Sequence, residues 1–222
     1  DRCKRRISAQ SSTVITFLII SRGGQISDDA TGSVFTCRRH QNALSTEGRA
    51  GQICQYQSIL VPGLLQTPDY AEVLVRAWQP RASDDEVEQV VQTRTGRLPN
   101  LLDRKPSLWF VVDEVVITRP VGSHQIMAAQ LEHIADLAES GSIRFQILPQ
   151  RLIHPGMCPP FRLMTLADGQ AVVFVEHALG DEARSSVDDV SQMRLLFGAM
   201  QADALAPSQS IQRLREIGKE LK

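Results

Sequence analysis

Aromatic residues are scarce in this chain, at 5% of 222 residues, so a mainly aliphatic core is expected. Cysteine is scarcer still: Cys3, Cys37, Cys54 and Cys158, with no Cys-x-x-Cys pair among them. So few cysteines in so long a chain do not build a disulfide framework, and a reducing cytoplasm is the compartment they fit. Neither sign of charge is in excess, with 24 Lys and Arg against 25 Asp and Glu and a net of -1. That balance argues against a dedicated nucleic-acid surface, though it leaves room for a local basic patch. Long apolar runs are also missing. Val14 to Ile20 is too short to span a bilayer, which takes about 20 residues. No nucleophile–base set, phosphate-binding loop or metal-ligand cluster stands out.

What is present begins unevenly. Lys4-Arg5-Arg6 ahead of the apolar run imitates the start of a signal peptide, but Ser21-Arg22-Gly23-Gly24 supplies no small-x-small cleavage site. A lone strand or a disordered segment is the plainer expectation. Cys37-Arg38-Arg39-His40, with the distant Cys54, offers zinc-ligand types without the two tight pairs that structural zinc sites use. Gly, Ser, Thr and Gln lie between Ser21 and Gly51 without periodicity, which predicts loop. Residues 1–50 are therefore expected to be poorly structured or atypical, and 51–222 to form one domain.

From Tyr56 onward the pattern is consistent. Pro62-Gly63 breaks an apolar run, and Thr67-Pro68 is a helix start, with Thr67 as cap and Pro68 where no N–H is needed. Ser83-Asp84-Asp85-Glu86 is a capping box, and Gly96 and Pro99 should end or kink the helix it opens. Trp78 is expected as a core anchor rather than a ligand platform. Leu108 to Val112 predicts a buried strand ending at Asp113-Glu114. Ser123 caps a helix with Met127, Leu131 and Ile134 inward, Gly141 closes it, and His133 falls on its solvated side. Ile143, Phe145 and Ile147 alternate as in a half-buried strand. Phe161 to Leu166 and Ala171 to Glu176 flank an Asp168-Gly169 hairpin turn. Two amphipathic helices close the chain, one after Ser186 and one from Pro207. The fold class is α+β: a mixed sheet with a β-hairpin, packed against several α-helices.

Tyr56-Gln57, Leu60-Val61-Pro62-Gly63-Leu64-Leu65-Gln66-Thr67, Asp69-Tyr70-Ala71, Asp113-Glu114, Arg119-Pro120-Val121-Gly122, Gln130-Leu131 with His133, Leu148-Pro149, His154-Pro155-Gly156, Pro160-Phe161 and Val175-Glu176 occur in one order. In that order they resemble the effector domain of unknown function that follows an Xre-type helix-turn-helix in actinobacterial transcriptional regulators. The resemblance covers about Gly51 to Leu221. It implies a cytoplasmic, non-catalytic module that senses a small-molecule effector or binds a small partner protein encoded nearby, in an antitoxin-like arrangement regulating development or secondary metabolism. It implies no cofactor and no metal, and carries no catalytic residues. Two departures stand out. No amphipathic helix pair around a short turn precedes Tyr56, so DNA would be reached only through a helix-turn-helix not evident in this chain. Gly96 and Pro99 also interrupt a helix that the family usually continues.

Family motif residues not needed for packing are the candidate ligand- or partner-binding set: Glu114, Arg119, His154 and Glu176. Arg119 could equally pair with Glu114 or Glu176. The competing function is a small hydrolase or transferase using Glu114, His154 and Glu176 for acid–base chemistry, which needs the three side chains to converge. A homodimer stays open, and nothing suggests a membrane partner.

Overall fold

In the computed structural model the described residues are 38–151, 153–177 and 180–222. The basic-apolar start, Cys3 and Cys37 lie outside them. In chain order the elements are α1 (Arg38–Glu47), β1 (Ala50–Gln57), a 3-10 turn (Gly63–Leu65), α2 (Pro68–Trp78), α3 (Asp84–Thr95), α4 (Arg97–Leu102), β2 (Ser107–Asp113), α5 (Glu114–Thr118), α6 (His124–Glu139), β3 (Arg144–Leu148), β4 (Phe161–Leu166), β5 (Ala171–His177), β6 (Gly180–Arg184), α7 (Val187–Asp203) and α8 (Pro207–Glu220). The fold is α+β, with six strands in the order β3-β2-β1-β4-β5-β6.

β1, β2 and β3 run parallel, because the helical stretches between them carry the chain back across the sheet before each new strand. β4 then enters beside β1 antiparallel, and β5 and β6 continue as a meander. β1 is therefore flanked by β2 on one side and β4 on the other. Side chains alternate across the strands, and the two faces bury different partners. Ile53, Phe110, Val112, Phe145, Met164 and Phe174 face a large core completed by residues of α2, α4, α6 and α8. Cys54, Tyr56, Val111, Phe161, Leu163 and Val173 face the other way, onto Val190, Phe197 and Met200 of α7. The rare aromatics are concentrated rather than absent from the interior: Tyr56, Tyr70, Phe110, Phe145, Phe161 and Phe174 are among the largest fully buried side chains.

Several local expectations hold for their stated reasons. The Thr67 hydroxyl accepts from the Tyr70 N–H, Ser83 and Glu86 form the reciprocal capping box, and Ser123 and Ser186 cap α6 and α7. Gly141 has φ +76 just past α6, where a left-handed residue ends the helix. α3 stops at Thr95, and Pro99 sits within the first turn of the separate α4. Other expectations do not. Arg38–Glu47, expected as loop, is α1, with Ala43 1% exposed in the main core, and β1 begins at Ala50, ahead of the Gly51 boundary. Glu114, expected to close the strand with Asp113, instead opens the helical turn α5, begun by the Asp113 carboxylate accepting the Val115 N–H. His133 is half-buried rather than solvated, and burial lowers its pKa.

The Leu60–Thr67 motif is a loop tied to itself. Gln66 Nε2 donates to the Val61 carbonyl at 2.8 Å, and the Val61 N–H donates to the Tyr70 hydroxyl at 3.3 Å. Gln130 of α6, fully buried, clamps it from outside: Nε2 donates to the Leu65 carbonyl at 2.7 Å, and Oε1 accepts from the Thr67 N–H at 2.8 Å. Removing that amide orphans both backbone groups, at about 1–3 kcal/mol each. Gln130→Leu is expected to lower unfolding free energy by roughly 2–6 kcal/mol on that basis, read by urea denaturation. A loss well under 1 kcal/mol would show that the loop finds other partners.

Candidate functional site

β1 is apolar at Ile53 but carries Gln55 and Gln57 on the same face, toward the end of the strand. Beside them, Arg162 of β4 and Glu176 of β5 also interrupt apolar strands. These four side chains take part in a cavity of about 420 Å3, walled by Ile59, Leu60, Val61, Leu64, Trp78 and Pro160, and edged by Gln66, Arg94, Arg97 and His177. A recess of this size with an apolar wall and a few converging polar groups suits a small organic molecule.

A buried ion network underlies it. Arg162 is 5% exposed and faces Glu47 of α1 at 3.3 Å, Glu176 at 3.3 Å and Asp181 of β6 at 3.5 Å. Glu47 also takes the two-pronged guanidinium of Arg97, at 2.9 and 2.6 Å, and Glu176 accepts from Gln57 Nε2 at 2.8 Å. Burial works against the Arg162 charge. The carboxylates of Glu176, Glu47 and Asp181 more than offset it, and its pKa stands above the ordinary value. Asp181 is shifted up, because burial penalises its charge more than Arg162 and His177 favour it. Arg94 donates to Gln66 Oε1 at 3.0 Å, and its guanidinium lies 5.8 Å from the centre of the Trp78 ring. Burial, with Arg97 nearby, lowers the Arg94 pKa to about 10. Trp78 thus packs partly against the core, as expected, and also walls the cavity.

A second polar cluster lies on the α7 side of the sheet. His154 Nδ1 accepts the Gly156 N–H at 3.1 Å, so the ring proton sits on Nε2, which faces Asp113 Oδ2 at 3.6 Å. The Tyr56 hydroxyl donates to the Gly156 carbonyl at 2.5 Å. A Cβ at Gly156 would fall 2.5 Å from that hydroxyl and 2.6 Å from Leu148 Cδ2, so any other residue there would force Tyr56 and Leu148 to move. Burial raises the Tyr56, Cys54 and Cys158 pKa values, Cys54 to about 11, which keeps the thiols protonated and weakly nucleophilic at neutral pH.

Of the sequence candidates, only Glu176 lines the cavity. Glu114 instead accepts the Gln150 N–H at 3.2 Å and faces Arg213 of α8 at 3.5 Å. Arg119 is exposed, with its backbone N–H closing α5 on Val115. The anticipated pairing of Arg119 with either carboxylate is replaced by Arg213 on Glu114 and Arg162 on Glu176. His154 serves its own loop on the far face. The Glu114, His154 and Glu176 side chains are thus each held by different partners. Sequence inspection missed Gln55, Gln57, Arg94, Arg97, Arg162 and Glu47. The usable signal was Arg162 inside an otherwise apolar strand and two glutamines spaced by two in β1. Among the described residues no cluster of three or more His, Cys, Asp or Glu could hold a metal ion, and no helix is long and apolar enough to cross a membrane.

Residues 40–216 match a family model described as Domain of unknown function (DUF5753). No curated protein matches the chain.

Arg162→Met leaves Glu47, Glu176 and Asp181 buried without their shared cation and is expected to cost about 3–5 kcal/mol in chemical denaturation. Asp181 titrates in the opposite sense from a usual paired carboxylate. Its pKa is raised on folding, so its contribution to stability is complete below the ordinary value of 3.8 and is lost as pH rises through the folded value. Asp181→Asn is therefore expected to remove a decline in stability above that pH, measured as the pH dependence of the denaturation midpoint. An unchanged profile would refute the assignment.

Proposed function

The chain belongs to the family of the domain of unknown function DUF5753, and from that premise we propose that it is a non-catalytic, signal-binding effector domain of a transcriptional regulator. The signal is a small molecule held in the cavity beside Glu176. The cavity is the observation that carries this reading: it has an apolar wall over a floor whose charges are already matched, a surface for holding a molecule rather than converting it. The resemblance to Xre-type regulators supplies the rest. DNA is engaged through a helix-turn-helix of the regulator, the setting is the cytoplasm, and a small partner protein encoded nearby completes an antitoxin-like pair. Against the hydrolase alternative, Glu114 is taken up by Arg213 and Gln150, Glu176 by Arg162 and Gln57, and both ring nitrogens of His154 are engaged.

The floor also suggests how occupancy is communicated. Glu47 is the last residue of α1 and bridges Arg97 and Arg162, both cavity-lining. A ligand that shifts either guanidinium shifts the end of α1.

Native mass spectrometry of the protein purified without denaturation tests the reading. Wild type is expected to carry a small-molecule adduct, and Leu60→Trp, which fills the cavity from a half-buried position, is expected to lose it while keeping the wild-type circular dichroism. An adduct retained in Leu60→Trp would move the site elsewhere. A bound molecule that the protein converts to product would replace the proposal with a catalytic one.

A further inference from the structure

The charged groups around the cavity are largely occupied by one another. Arg162 meets Glu47, Glu176 and Asp181, Arg97 holds Glu47 through two hydrogen bonds, and Glu176 also takes Gln57. Arg94 is turned onto the Gln66 amide and the Trp78 ring. An ion entering here would give up its hydration and then compete with matched pairs, which disfavours a charged ligand. The rest of the wall is apolar, with Ile59 half exposed at the rim.

Two cavity-lining side chains carry a buried polar atom with no hydrogen bond among the described residues: Arg162 Nε, which faces the Glu176 carboxylate at 3.3 Å, and Gln55 Oε1, which faces no counter-charge. Gln55 lines the cavity and is 3% exposed, yet among the described residues its Oε1 meets no hydrogen-bond donor. A buried acceptor of this kind is destabilising until something donates to it. The terminal amide torsion is soft, so a small turn presents the oxygen to a molecule in the cavity.

We infer that the cavity takes an electrically neutral, mostly apolar molecule that presents one hydroxyl or N–H donor to Gln55 Oε1. The inference rests on the cavity being the signal site, as proposed above, and adds the class of ligand. The body of the molecule lies against Ile59, Leu60, Leu64 and Pro160, and its donor reaches inward to the β1 face.

Four naphthalene probes with the same ring separate charge from hydrogen bonding: 2-naphthol, 2-methoxynaphthalene, 2-naphthoate and 2-naphthylmethylammonium. Their affinities are measured by calorimetry at neutral pH on the whole chain, with Leu60→Trp locating the site. 2-Naphthol is expected to bind tightest, with 2-methoxynaphthalene about five- to tenfold weaker for want of the donor. Gln55→Met is expected to erase that difference. The wild-type series alone decides the matter if the variant does not fold. Naphthoate binding tenfold tighter than naphthol would overturn the inference and give the site to Arg94. Equal binding of naphthol and its methyl ether would overturn it as well. Failure of every probe to bind would sink the cavity reading itself, whereas binding in an inverted order sinks only the ligand class.

Discussion

A guanidinium buried in the sheet is the constraint on which the site depends. Arg162 sits in β4, next to β1, where solvent does not reach it. Such a charge is tolerated only with counter-ions close by, and here they come from three separate elements: Glu47 from α1, Glu176 from β5 and Asp181 from β6. The meander after β4 and the docking of α1 are thereby tied to one another. Glu47 stands at the C-terminal end of its helix, where the helix dipole disfavours an acid. Its bonds to Arg97 and Arg162 account for its being there.

The same network shapes the recess. The charges satisfy one another, and the neighbouring wall of the cavity is apolar. Gln57 and Gln66, each engaged by a partner, hold the polar edge in place. On the opposite face the polar residues do a different job. Tyr56, His154 and Asp113 fasten the loop between β3 and β4 over the strand ends. Residues that look alike in the sequence, a carboxylate at a strand end and a histidine in a loop, serve the cavity on one side and loop anchoring on the other.

Much of the fold could be read from local chemistry. Capping residues, the interrupted α3–α4 pair, the α6 stripe and the Asp168-Gly169 hairpin all follow from interactions within a few residues, which a linear pattern reports faithfully. α1 and β6 escaped, the first because its composition is polar and its hold comes from distant arginines, the second because Gly180–Arg184 has no apolar alternation. Of the candidate site, Glu176 was found through its place in a family motif, while Arg162, Arg97 and Glu47 were not. Their roles come from partners such as Glu47 and Arg162, which are 115 residues apart.

The sequence by itself determined most of the elements, with their caps and turns, the α+β class and the family, because each depends on short-range spacing or on the order of motifs along the chain. The tertiary structure alone decided which carboxylate reaches the cavity, that Arg119 stays outside it, and that Glu114, His154 and Glu176 are each taken up by different partners. Strand pairing and the alternation of side chains across the sheet govern those outcomes, and both are set by which strand lies beside which, a relation that sequence distance does not encode.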